Sequence, residues 1–280
     1  MSQLLGLGDR CRSANEDALR LVKRFLIGIL SLASIAFLAW WLLHKRPLNA
    51  DVYVHEVTVD GSVRTYRTVV PYNKASPVPV VFAFHGIGDS TDSMAGYSQL
   101  DRLAADAGFL LVYPAARNSM WSTINIDPTN LDANPDVRFF DALYARVASD
   151  HDIAADRVYL AGMSNGASFV HVLATARPKM IAAIIAHSGL RPKELGLCDD
   201  SISMMLLAGA DDSVAPMMVS DAERYRNTGC AVEFIRVPRL AHEWSTRHNM
   251  DMWRFLSAHA RTNAEEAEQS DAPQPRNEAF

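Results

Sequence analysis

From Val78 to Val237, short and continuously apolar runs alternate with stretches of helical spacing. The runs "VPVVFAFHG", "FLLVYP", "DRVYLAG", "MIAAIIAHSG", "SISMMLLAG" and "AVEFIRV" read as strands. They lack polar alternation, which suits strands covered on both faces. The stretches "YSQLDRLAADAG", "DVRFFDALYARVASDH", "NGASFVHVLATARP", "APMMVSDAERYRNTG" and "NMDMWRFLSAHAR" read as helices. Ahead of them lies "VYVHEVTVDGSVRTYRTVVP", two alternating runs around Asp60-Gly61, which predict a hairpin. This order constrains the fold to α/β: a mostly parallel sheet with helices on both faces. In such sheets, functional sites form just past the carboxyl ends of the strands.

Four strand ends carry suggestive chemistry. "VYLA" is followed by Gly162-Met163-Ser164-Asn165-Gly166, the G-x-S-x-G pattern of a nucleophile elbow. A side chain two residues to either side of Ser164 would collide with the adjoining strand or helix, so glycine is expected there. The helix after Ser164 points its amide end toward developing negative charge. "VVFAF" is followed by His85-Gly86-Ile87-Gly88. An ester intermediate needs two N–H donors for its oxyanion. Asn165 would supply one, and the loop near Ile87 or Gly88 the other, with His85 bracing that loop. "MMLLAG" is followed by "ADDSVAP", where Asp212, with Asp211 as the alternative, can orient a histidine. "EFIRVP" is followed by "RLAHEW", where His242 can serve as general base and then acid; His248 is a weaker competitor. The chain order Ser164, Asp212, His242 is that of the α/β-hydrolases. These groups predict a serine esterase working through an acyl-enzyme. A triad cleaving amide or thioester bonds, and a non-catalytic binding module on the same scaffold, are the alternatives.

Several segments together, "FHGIGDS", "LDRLAADAGFLLVYP", "DVRFFDAL", "DRVYLAGMSNGASF", "GADDSVAP" and "AHEW", resemble the polyhydroxybutyrate-depolymerase-like esterases. That group is related to feruloyl and acetyl-xylan esterases. The likeness runs from about Val52 to Ala260 and is most specific at "GMSNG" with "DRVY" before it. It implies Ser164 as nucleophile, Asp212 rather than Asp211 as acid, His242 as base, and no metal or organic cofactor. It also implies that Trp121, in "RNSMWST", stands at the substrate cleft or packs beside it. The sequence departs from the family where Ala167, Ala215 and Ala241 replace frequent glycines. With no evident polymer-binding domain, a small or soluble ester is the expected substrate.

Outside residues 51–262, expected to form the catalytic domain, the chain changes character. "FLIGILSLASIAFLAWWLL", residues 25–43, contains no charged residue. As a helix it would span roughly 28 Å, near the thickness of a bilayer's hydrocarbon. Lys23 and Arg24 precede it, and Trp40, Trp41, Lys45 and Arg46 mark its far end. This predicts a transmembrane signal anchor rather than a cleaved signal peptide. Basic residues in 1–24 favour a cytoplasmic amino terminus, which would put the catalytic domain in the periplasm or its equivalent. Residues 263–280 hold five acids and one base, most of the chain's formal charge of −5, and read as a disordered tail. The near-neutral remainder has no basic face for nucleic acid. Cys198 and Cys230 each precede a predicted strand. If those strands are parallel neighbours the two thiols share a sheet edge, and either a disulfide or two separate thiols would fit.

Overall fold

A computed structural model describes residues 23, 25–38, 47–196 and 202–261. Helix α1 covers residues 25–38, with its apolar side chains exposed. Among the described residues no helix is long and apolar enough to cross a membrane. Residues 39–43 of the predicted anchor lie outside the described residues, as do residues 1–22, the 263–280 tail, Cys11 and Cys198. A separate compact unit begins at Leu48.

That unit is built on one eight-stranded sheet in the order β1-β2-β4-β3-β5-β6-β7-β8. The hairpin β1 (Ala50–Val59) and β2 (Ser62–Pro71) forms one edge. Asp60 and Gly61 both have positive φ (50° and 73°), the backbone a two-residue hairpin turn requires. β2 joins β4 (Leu110–Pro114) antiparallel, and every later pairing is parallel. The parallel strands are β3 (Val78–Phe84), β4, β5 (Ile153–Met163), β6 (Ala183–His187), β7 (Ser203–Gly209) and β8 (Val232–Val237).

The strand side chains divide between two cores. Val80, Phe82, Phe84 and Leu160 pack with helices α4 (Pro135–Asp150), α5 (Asn165–Ala176) and α6 (Ala215–Asn227). Val81, Ala83, Tyr159 and Ala161 pack on the other face with α2 (Thr91–Ser98), α3 (Leu100–Ala107) and α7 (Asn249–Ser257). Alternation along the strand, with apolar groups at every position, is what covering both faces requires.

One predicted element divides. The helix expected across "YSQLDRLAADAG" is interrupted at Gln99, which stands at φ 55° and closes α2 by donating its amide to Ala95 O. Met94 of α2 and Leu100 and Leu103 of α3 enter one core from either side of the break.

Candidate active site

Ser164 is the single residue between β5 and α5, at φ 55° and ψ −118°. Such backbone angles are strained for a residue with a side chain. The neighbouring glycines make the turn feasible. A Cβ on Gly162 would lie 2.5 Å from the Gly166 carbonyl, and one on Gly166 would lie 2.2 Å from Phe84 O. Both distances are far inside van der Waals contact, so strand and helix can approach only without those methyls. The Ser164 amide donates to His187 O at 2.9 Å, which ties the turn to the adjacent strand end.

The other predicted residues converge here. His242, in the loop after β8, places Nε2 2.9 Å from Ser164 Oγ and Nδ1 2.9 Å from Asp212 Oδ2. The ionised carboxylate can only accept, so Nδ1 carries the proton and Nε2 is free to accept from the serine hydroxyl. The Asp212 side chain is fully buried, whereas that of His242 is 46% exposed and open to the cavity. Burial by itself would push the Asp212 carboxyl up. The Val214 amide, the Ser188 hydroxyl and His242 outweigh it and hold the group below its ordinary value. Asp211, the alternative acid, is exposed to solvent. His248 pairs through Nδ1 with Ser245 Oγ at 2.6 Å, away from Ser164.

Among the oxyanion donors expected from sequence, Gly88 is corrected. Its amide donates to Ser119 O at 2.8 Å and is therefore committed to holding the loop. The amides of Ile87 and Asn165 have no protein acceptor among the described residues. That is the normal condition of the first residue of a helix for Asn165.

For Trp121 the structure favours the packing alternative. The residue is fully buried, stacked on Phe169 at 4.9 Å, with its indole N–H donating to His85 O at 2.9 Å. It stands outside the lining of the cavity beside Ser164 and acts as a brace. Its backbone amide donates to Asn165 Oδ1 at 2.7 Å, and Asn165 Nδ2 donates to Thr123 Oγ1 at 2.8 Å. The same loop is pinned to α4, because the Ser122 amide donates to Asp136, whose other oxygen accepts from the buried Arg64. His85 braces as expected. Its Nε2 accepts from the Ala116 amide, so Nδ1 donates to Gly86 O, and burial holds the ring below its ordinary pKa.

Two supporting residues carry no sequence motif. Ser188, buried just past β6, is among the groups that hold the Asp212 carboxyl low, and its Oγ lies 3.1 Å from His187 Nδ1. His187 Nε2 accepts from the Ser245 amide, which fixes Nδ1 as the donor toward Ser188. Ser164 and His242 open onto a cavity of about 500 Å³. A second cavity, about 520 Å³, borders the 117–124 loop and the hairpin tip but has no serine–histidine pair.

The described residues hold no cluster suited to a metal ion. Sheet order, helical layers and strand-end site define an α/β-hydrolase-like fold, and comparison with known proteins refines this. Residues 65–230 match the family model described as esterase PHB depolymerase, and the chain belongs to that family. It is 31% identical over 145 residues to feruloyl esterase B of Neurospora crassa, covering 49% of each chain. The chain thus spans about half the length of that curated relative. The feruloyl esterase module from Clostridium thermocellum, complexed with sinapinate, superposes with a TM-score of 0.61 at 14% identity over 74% of this chain and 87% of the module. An S-formylglutathione hydrolase from Agrobacterium tumefaciens gives 0.62 at 14% identity over 78% and 98%. At these identities the structures share the fold.

Proposed function

We propose that this chain is a serine carboxylic ester hydrolase. The observation that carries the reading is the unbroken hydrogen-bonded line from Ser164 Oγ through His242 to Asp212, at three strand ends beside an open cavity. Ser164 Oγ attacks the ester carbonyl while His242 Nε2 takes its proton. The imidazolium is stabilised by Asp212 and then gives that proton to the leaving alkoxide, so the ester C–O bond breaks and an acyl-serine remains. Water repeats the sequence, with His242 taking its proton, and releases the acid. The amides of Ile87 and Asn165 are assigned to the oxyanion. Feruloyl esterase relatives support small aryl or acyl esters as substrates.

Replacing Ser164 by Ala tests the reading. Turnover of p-nitrophenyl butyrate should fall by about 10⁴-fold or more, and covalent labelling by a fluorophosphonate should vanish. Retained turnover would refute the assignment. A matched thioester and amide in the same assay would distinguish ester preference from the broader activity of such triads.

We further infer that residues 25–43 anchor the chain in a membrane, with residues 1–24 cytoplasmic and the catalytic domain, residues 51–262, outside. Residues 263–280 form an acidic tail in this reading. The charge-free apolar run with basic flanks supports the arrangement, and the described part of that run is helical. Resistance to alkaline extraction from membranes, with the catalytic domain open to protease added from outside, is the expected result. Release by alkali would overturn it.

A further inference from the structure

The cavity beside Ser164 has a one-sided electrostatic lining. Besides His242, the ionisable side chains along it are Asp89, Glu243 and Tyr97; among its described lining residues there is no lysine or arginine. Asp89 stands close to the chemistry. A Cβ on Gly86 would lie 3.1 Å from Asp89 Oδ2 and 3.6 Å from Ser164 Cβ, so both side chains border the space beside Gly86. Asp89 is held there by its amide, which donates to Gly86 O at 3.2 Å. Glu243 follows the base directly in the chain. The remaining wall is apolar, with Ile87, Met163 and Trp244. The Tyr97 hydroxyl is buried beside the Asp89 carboxylate and the Gly86 backbone. Burial first, and the Asp89 charge second, push its phenol up, so it keeps its proton.

Resting on the esterase reading above, we propose that Asp89 and Glu243 make this a cleft for neutral or cationic esters, one that turns away esters bearing a carboxylate near the scissile carbonyl. Two negative charges against low-dielectric walls repel an anion at short range, and the described lining offers no lysine or arginine to offset them. Discrimination thus comes from a repulsive element against the wrong ligand rather than from added contacts to the right one. The same charges favour turnover, because hydrolysis converts a neutral ester into an anionic acid, which they drive out of the cleft.

The test uses the full chain and three matched substrates: p-nitrophenyl hexanoate, the p-nitrophenyl monoester of adipic acid, and p-nitrophenyl 6-(trimethylammonio)hexanoate. A second trio carries the same charges on the alcohol side. In at least one trio, kcat/KM for the anionic ester should be at least about tenfold below that of the neutral one, with the cationic ester at or above it. Asp89→Asn with Glu243→Gln should shrink the anionic-to-neutral gap by about tenfold. A second measurement needs no variant: raising salt from about 10 mM to about 0.5 M, which shortens the screening length several-fold, should raise the anionic ester's kcat/KM relative to the neutral one. Equal rates for all three charges in both trios, or a gap unmoved by both salt and the double substitution, would overturn the inference and leave the esterase reading standing. Absence of turnover on the neutral ester would instead remove the esterase reading itself.

Discussion

Ser188 shows how a residue with no motif can govern one that has it. Its hydroxyl is one of three groups that hold the Asp212 carboxyl low, with the Val214 amide and His242. Its own orientation is set by His187, and His187 is set by the Ser245 amide. The line of donors therefore runs from the backbone after β8 to the buried oxygens that hold His242. Ser188→Ala removes one donor and leaves the fold's packing nearly intact. We expect kcat to fall about tenfold with KM nearly unchanged, since the hydroxyl acts on the acid rather than on the ester. The Asp212 carboxyl loses one of its three supports, so the acid limb of the kcat/KM–pH profile should move to higher pH. A merely steric role would lower kcat without moving that limb. Ser164, Asp212 and His242 were legible in the sequence because each lies within a few residues of a strand-like run, in the chain order of the α/β-hydrolases. Ser188 was not, because its role depends on β6 lying between β5 and β7, an order that no local pattern encodes. For Trp121 the sequence left cleft contact and packing both open, and its burial against Phe169 favours packing.

At the scale of elements, the hairpin and the parallel strands could be read because burial on one face or two leaves a distinct period in the chain. The division of α2 from α3 could not, since apolar spacing continues across Gln99 and only its positive φ separates them. The elements also determine which titrating groups are hidden. α5 buries His171, and the end of β6 buries His187. Desolvation pushes both imidazoles down to about 3, with the Arg191 charge adding to the effect at His171. In the unfolded chain the same groups titrate near the ordinary histidine value of 6.5. As pH falls below that value, the unfolded state takes up protons that the folded state refuses, and stability is lost until the folded pKa values near 3 are reached. Each histidine contributes a slope of about 1.4 kcal/mol per pH unit within that window. Asp212, held low, adds the same sign only at lower pH, as it protonates. Urea midpoints should therefore drop steadily between about pH 6 and pH 4.5. His171→Gln, which removes one of the two protons, should make that drop shallower. A midpoint flat across the interval would contradict neutral burial of these rings.

For the whole molecule, what matters is how far the catalytic unit depends on what precedes it. Both cores of the sheet are assembled from Leu48 onward, with Leu48 and Ala50 covering the start of the hairpin edge. Every residue assigned to the site lies in the unit that begins at Leu48. β1 runs antiparallel to β2, and β2 antiparallel to β4, so β1 starts at the amino end of the parallel strands. Ser164, Asp212 and His242 stand at their carboxyl ends. The chain therefore enters the catalytic unit at the end of the sheet opposite the site. Removing residues 1–47 should leave kcat/KM on a soluble neutral ester within about twofold of the full chain, and the urea midpoint unchanged, because the described residues of both cores lie from Leu48 onward. Location should change instead. The full chain should partition into detergent-rich phase or liposomes through its apolar run, and the shortened chain should stay in the aqueous phase. Equal partitioning of both would refute the anchor. A large loss of kcat/KM in the shortened chain would mean that the first segment shapes the site, contrary to a sheet whose cores close without it.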